Sequence, residues 1–242
     1  MKVCGMTDVG CHRKDNQDSY AIRQGENGTA LLVVCDGMGG AQAGSVASSV
    51  AVEEFSSAVE RALAGGVLDD PGRTLEDACR AANEKVYRLS RERREYEGMG
   101  TTLVAALVLP GGVWLANIGD SRCYVLEGGS IRQATVDHSL VQLLVERGEI
   151  TPAEARVHPQ KNLITRALGV DSHVECDVTR LEPGTGSRLL LCSDGLTNVL
   201  EDGTVLELSR REAEIEPLCR ALVELTLERG APDNVTAVLA QL

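Results

Sequence analysis

An α+β fold of four layers, two central antiparallel sheets with helices outside, is the class this 242-residue sequence predicts. Two observations lead there. Short strand-like runs follow one another through hairpin-forming breaks such as PGG, GDS and EGGS, and helical patterns come in two groups, one after the third strand and one near the end. Such grouping favours antiparallel sheets with helices on their outer faces over a doubly wound parallel sheet. The apolar content of 43% suffices for one compact domain spanning 1–242, and with only 2% aromatic residues its core must consist mainly of Val, Leu, Ile and Ala.

Taken in order, strands are expected at residues 2–8, 19–23 and 30–36, the last ending LLVVCDGMGG. Beyond it Val46, Val50, Phe55 and Val59 recur at near-helical spacing through Leu63, and the GGVLDDPGR segment breaks the helix. Residues 74–96 form a second helix with Leu75, Ala78, Ala82, Val86 and Leu89 on one face. TTLVAALVL, GVWLANIG, RCYVLEGG and IRQA read as strands, and LVQLLVERG and TPAEARV as two short helices, with Pro152 suited to a first turn. Strands follow in VECDVTRL and SRLLLC, helices near 204–208 and 212–229, and a final strand in NVTAVLAQL.

The net charge of -12 opposes nucleic acid and anionic membrane surfaces, so neither is an expected partner. Eight cysteines occur without a CxxC pair, and Cys35, Cys123 and Cys192 lie in apolar runs, which predicts reduced, structural thiols. The first ten residues lack a continuous apolar stretch and no segment reaches membrane-span length, so a cytoplasmic location is expected.

Four aspartates beside Gly or Asn carry the chemistry: Asp36 in DGMGG, Asp120 in NIGDSR, Asp194 in SDGL and Asp233 in PDN. Carboxylates gathered at one edge of a sheet repel one another unless cations neutralise them, so the pattern points to a polynuclear metal centre. With hard oxygen donors and no His or Cys within these motifs, Mg or Mn suits better than Zn. An isolated Asp-Gly is ordinarily a turn, and DGMGG lacks the Lys-Ser/Thr that would make it a P-loop. His138 reads as a helix-entry residue beside Asp137 and Ser139, His158 as a candidate near the 139–168 segment, and RLSRERREYE as a solvated helix face.

The ordered set RKDNQD at 13–18, DGMGG at 36–40, GTT at 100–102, NIGDSR at 117–122, ITRALG at 164–169, SDGL at 193–196 and PDN at 232–234 resembles the metal-dependent protein phosphatase 2C family, in its bacterial branch. The resemblance implies paired antiparallel sheets with two Mn or Mg ions at one end. Asp36 would bridge the two ions and the Gly37 carbonyl would complete one of them; Asp194 and Asp233 would hold the other. Asp120, with Asp194 shared, matches a third, weaker site. Arg13 matches the residue that clamps the substrate phosphate, Asp18 would support the water network at the ions, and residues 139–168 match a flap. Gln17 stands where many members have Glu, and Met38 where many eukaryotic members have a proton-donating His, which leaves the general acid unassigned. The implied activity is hydrolysis of phosphoserine and phosphothreonine in proteins by a metal-bridged water, in bacteria opposite Ser/Thr kinases, by a monomer acting on phosphorylated proteins. The alternatives are a non-catalytic phosphoprotein-binding regulator, expected to have lost one of Asp36, Asp194 and Asp233, and a partner-switching phosphatase with one dedicated substrate.

Overall fold

The computed structural model describes residues 1–40, 42–65 and 68–242. Two of the undescribed positions, Gly66 and Val67, fall in the expected break after the first helix. The strands are β1 (Lys2–Asp8), β2 (Asp18–Gln24), β3 (Ala30–Met38), β4 (Gly100–Thr101), β5 (Leu103–Leu109), β6 (Gly112–Ile118), β7 (Arg122–Glu127), β8 (Ser130–Gln133), β9 (Asp177–Leu181), β10 (Arg188–Cys192) and β11 (Val235–Gln241). The helices are α1 (Ala43–Ala64), α2 (Pro71–Glu92), α3 (Leu140–Glu146), α4 (Pro152–Val157), α5 (Asp194–Thr197), α6 (Asp202–Arg211) and α7 (Ile215–Glu228).

One sheet runs β1-β11-β10-β7-β8 and the other β2-β3-β5-β6-β9, with β4 attached to β3. All their pairings are antiparallel. Alternation along β3 explains the layering, because successive side chains point to opposite faces of a strand. Leu31, Val33 and Cys35 pack with Phe55, Val59, Leu75 and Val86 of α1 and α2. Ala30, Leu32 and Val34 face the other sheet, where they meet Cys123, Leu189, Leu191 and Val238. The outer face of that second sheet is covered by Leu218, Leu222 and Val223 of α7 and Val205 of α6. Three apolar layers therefore separate four structural ones, as the grouping of helical patterns predicts.

Two short elements were not expected. The helix α5 is a single turn, too short to show a period, and it makes Asp194 the first residue of a helical turn that follows the strand. β4 is two residues long and splits the run expected as one strand. The second helix starts at Pro71, N-capped by Asp70 through Arg73 N–H, and ends at Glu92 before a 3-10 turn at Arg94–Tyr96. Residues of the flap segment leave the body after Thr135 and return at Leu168; Leu140 N–H donates to the Leu163 carbonyl, Thr165 N–H to that of His138, and Thr101 and Leu168 exchange two backbone bonds. The short helices α3 and α4 lie within this closed excursion, each with a side-chain N-cap, Ser139 and Thr151 respectively.

Candidate active site

The site is built where β3 leaves its sheet. Asp36 follows six buried apolar residues, Ala30 to Cys35, so burial of β3 fixes its height at the strand's end. Its backbone is gripped by the GTT segment: Thr102 Oγ1 accepts from Asp36 N–H at 2.9 Å, while Thr101 Oγ1 and Thr102 N–H both donate to the Asp36 carbonyl at 2.9 Å. Thr102 Oγ1 lies 2.7 Å from Ser121 Oγ, joining the strand end to the turn that carries Asp120. Gly37 is required by space, since a Cβ there would sit 2.0 Å from the Gly44 carbonyl oxygen at the start of α1. This close approach keeps the Gly37 peptide beside Asp36.

The C-terminal half contributes two more turns. Ser193 Oγ and Thr236 Oγ1 donate to Asp18 Oδ2 at 2.7 and 2.6 Å, which ties β2, the end of β10 and β11 together beneath the site. Asp194 opens α5 and accepts from Asn198 Nδ2 at 2.9 Å. A Cβ on Gly195 would lie 1.9 Å from the Asn234 carbonyl oxygen, so the α5 turn and the PDN turn fit against each other only with glycine there. Asn234 then gathers the N-terminal loop: its Nδ2 donates to the carbonyls of Val9 and Asp15, and its Oδ1 accepts from Gln17 N–H. That loop delivers Arg13, whose Nη2 donates to Asp233 Oδ2 at 2.7 Å.

Electrostatics show that the carboxylates share one field. Burial pushes the Asp36 carboxyl well up, and the charges of Asp18, Asp194, Asp120 and Asp233 raise it further. Asp120 is raised by burial and then by Asp194 and Asp137, with Arg122 opposing. Asp194 is raised by burial and Asp233, and lowered by hydrogen bonds with Asp36 and Asn198. Asp18 is pushed up to about 6, chiefly by burial. The expected meeting of the four sequence-distant aspartates is therefore present in the fold.

The meeting is not a finished chelate. No three His, Cys, Asp or Glu side chains among the described residues stand arranged around a single ion. Asp233 has both oxygens engaged, Oδ2 by Arg13 and Oδ1 by Asn234 N–H. The donors nonetheless fit a hard divalent cation: all are oxygens, they are held partly or wholly out of water, and the ionised forms of Asp36, Asp120 and Asp194 are disfavoured by burial and by neighbouring carboxylates. Asp18 Oδ1 is also buried without a hydrogen-bond partner.

Other expected residues stand as follows. Gln17 does not reach a site carboxylate; its side chain donates to the Gly40 carbonyl at 3.4 Å, and its backbone carbonyl accepts from Gly37 N–H and Ser48 Oγ. Met38 borders a second hollow with Arg166 and His173. His138 is not the helix-entry cap, a role Ser139 takes by accepting from Gln142 N–H. Instead His138 is buried, its Nδ1 accepts from Gly119 N–H at 3.1 Å, and its Nε2 faces Asp177 Oδ2 at 3.1 Å. The accepting role of Nδ1 places the ring proton on Nε2, which donates to Asp177. His158 only closes α4, accepting from Gln160 N–H. The roles of Thr101, Thr102 and His138 were missed; the signal was present in GTT and in the HS pair beside the flap, without a pattern that says what they hold.

Above Asp120 and Asp194 the flap leaves a cleft of about 380 Å³, bordered by Gln142, Arg156 and Lys161. Arg156 Nη2 donates to the Thr197 carbonyl and Lys161 Nζ to Asn198 Oδ1, so two flap cations rest on the turn that holds Asp194.

A double antiparallel sandwich with oxygen-donor carboxylates at one end and cations around its mouth defines a metal-dependent phosphohydrolase class of site. A sequence profile of the protein phosphatase 2C family matches residues 12–240, and the chain belongs to that family. It is 36% identical to the serine/threonine phosphatase stp of Listeria monocytogenes over 235 residues, 97% of this chain and 93% of that protein. It is 40% identical to the serine/threonine protein phosphatase PstP of Mycobacterium tuberculosis over 243 residues, 100% of this chain and 45% of that longer protein. Among solved structures, the serine/threonine phosphatase Stp1 of Staphylococcus aureus superposes with a TM-score of 0.91 at 40% identity, covering 100% of this chain and 94% of the other. The catalytic domain of PstP in complex with two manganese ions superposes at 0.86 and 38% identity, over 99% and 97% of the two chains.

Proposed function

We propose that this chain hydrolyses phosphoserine and phosphothreonine in proteins, as a single catalytic domain with a flap at 139–168. The observation that carries the reading is the convergence, in a chain of this family, of Asp36, Asp120, Asp194 and Asp233 at the end of β3, where Thr102 joins the Asp36 backbone to the Asp120 turn. Asp36, the Gly37 carbonyl, Asp194 and Asp233 would hold two Mn or Mg ions, with Asp120 and Asp194 serving a third. When bound, such ions supply the positive charge that lowers the pKa of water and offsets charge on the phosphoryl oxygens.

The chain's own residues do the rest. The two threonines hold the Asp36 backbone still, so that its carboxylate is presented without reorganisation. Arg13 is held to Asp233 through one Nη2 contact and is half exposed, which leaves N–H donors free for phosphate oxygens. Asp233 thus orients the guanidinium at the rim. Flap residues Arg156 and Lys161 add positive charge beside the cleft.

No helix among the described residues is long and apolar enough to cross a membrane. We place the enzyme in the cytoplasm, as a monomer, opposite Ser/Thr kinases and acting on their phosphorylated proteins; the names of its relatives support the substrate class. The test is phosphate release from a phosphothreonine peptide by metal-stripped protein titrated with Mn and then Mg, beside Asp194→Asn. Metal-dependent turnover that vanishes in the variant is expected. Binding of metal and phosphopeptide without turnover would identify the non-catalytic regulator instead, and turnover confined to one native phosphoprotein the partner-switching phosphatase.

A further inference from the structure

Eight free thiols are distributed through the fold, and one pair stands apart from the rest. Cys79, buried on the inner face of α2, has its Sγ 3.0 Å from the Sγ of Cys176, which is half-buried just ahead of β9. The two residues are 97 positions apart in sequence. A disulfide has its sulfurs about 2.05 Å apart, so bonding requires an approach of only about 1 Å. Nothing in the phosphatase reading uses either thiol.

We propose that Cys79 and Cys176 form a peroxide-driven disulfide site, a reversible staple between α2 and the start of β9. The geometry assigns the order of events. Cys176 is the thiol that solvent reaches, so its sulfur attacks one oxygen of a hydroperoxide. The S–O bond forms, the O–O bond breaks, and the thiol proton leaves with the departing oxygen, as water when the oxidant is hydrogen peroxide. Cys79 sulfur then attacks the sulfur of the Cys176 sulfenic acid. The S–S bond forms, the S–O bond breaks, and hydroxide leaves with the Cys79 proton as water. Two thiols are oxidised and one peroxide is reduced. Burial and the neighbouring Cys176 push the Cys79 thiol up, which suits it to the second step rather than the first.

The staple's position gives it a consequence. Cys176 adjoins Asp177, which accepts from Arg166 Nη1 at 2.8 Å and from His138 Nε2 at 3.1 Å, and these two residues bracket the flap. Asn83, four residues beyond Cys79, holds the other side through Gly169 N–H and the Asp171 carbonyl. Because the sulfurs are already adjacent, the bond fixes this arrangement instead of distorting it. The result is a stabilised enzyme under oxidant, with the site left open.

The experiment treats the whole chain with hydrogen peroxide, then maps disulfides by non-reducing peptide mass spectrometry and records thermal melts with and without dithiothreitol. A Cys79–Cys176 cross-link is expected, together with a rise in Tm of about 5–15 °C from closing so long a loop. Both should be absent from Cys176→Ser and from Cys79→Ser, and both should be reversed by the reductant. Cys11, an exposed thiol, reports that the dose was effective. The proposal is overturned if Cys11 is oxidised while Cys79 and Cys176 remain thiols or Cys176 passes on to sulfinic acid unbridged. A cross-link elsewhere, such as Cys4–Cys219, with none at this pair also overturns it. Phosphopeptide turnover should stay within about twofold after oxidation, given the small movement required; loss of turnover that needs both cysteines would show a brake rather than a staple. Only this last measurement rests on the phosphatase reading, since the cross-link and the melt do not.

Discussion

Arg13 and Asp233, 220 residues apart, meet with Nη2 2.7 Å from Oδ2, so the residue expected to clamp phosphate is held by a residue expected to bind metal. Under the proposed roles, the pair would link substrate binding to the metal site through one contact. Its Arg side is about half exposed, so the ion pair itself adds little to stability. Its value is in aiming the guanidinium.

Replacing Arg13 by Ala should therefore act on binding more than on chemistry. Charge-assisted hydrogen bonds are worth roughly 1.5–3 kcal/mol each, so KM for a phosphothreonine peptide should rise about 10- to 100-fold, with kcat changed only a few-fold. Lys in its place restores the charge without the planar fork and should recover only part of the loss. Steady-state kinetics on both variants checks this. A kcat collapse with unchanged KM would falsify the division of roles.

The raised carboxyls make the metal-free protein sensitive to pH. A carboxyl whose folded pKa is above its unfolded value is protonated more readily in the native state, so its contribution is intact below about 3.8 and declines as pH climbs through the folded value. For Asp18 that window runs from 3.8 to about 6, and for Asp36 and Asp120 the shift has the same direction. In a chelator, Tm should fall as pH rises from 4 to 7, and Mn or Mg at neutral pH should restore it. A chelated protein that gains stability over that range would contradict this account.

Asp36→Asn follows from the same field. It removes the charge that four other carboxylates oppose, so in chelator at pH 7.5 the variant should melt several degrees higher than the parent, at about 2–4 °C per kcal/mol for a chain of this size. It should show no metal-induced rise in Tm and no phosphatase turnover. Stability gained and function lost together would mark Asp36 as a site residue rather than a structural one.

How much of this the sequence shows depends on the range of the contact. β3 was readable because its apolar run ends at Asp-Gly, and α1 and α2 because their apolar faces repeat over many turns. The aspartates were readable as motifs, yet the directions of their side chains were not, since these depend on partners such as Arg13, which lies at the opposite end of the chain from Asp233. α5 was invisible because one turn has no period. His138 sits next to a helix start, and the local rule for helix entry pointed away from its real partners, Gly119 and Asp177. The Cys79–Cys176 pair has no local signature at all.

His138→Ala should test that anchor. The change removes the acceptor for the Gly119 amide and the donor to Asp177, both in buried or half-buried surroundings. Leaving a buried donor unpaired costs about 1–3 kcal/mol, so Tm should drop by several degrees. Hydrogen exchange should quicken at residues 119–121 and along the flap return at 164–168, while β1 and α7, on the far sheet, keep their protection.

Thr102 provides the sharpest separation between holding a ligand and being one. Its hydroxyl accepts from Asp36 N–H and bonds Ser121, and it is buried, so it does not itself face a substrate. Thr102→Val keeps the shape but strands the Asp36 amide, at a cost of about 1–3 kcal/mol. Part of that strain falls on the position of Asp36 and part on the Asp120 turn, through Ser121. Turnover should fall about tenfold or more, and the metal concentration needed for half-maximal rate should rise, with KM for peptide at saturating metal little changed. Thr102→Ser returns the hydroxyl without the methyl and should restore the metal requirement. If Val and Ser variants lose activity equally, the methyl packing rather than the hydrogen bond positions Asp36, and the grip of the GTT segment on the end of β3 is steric.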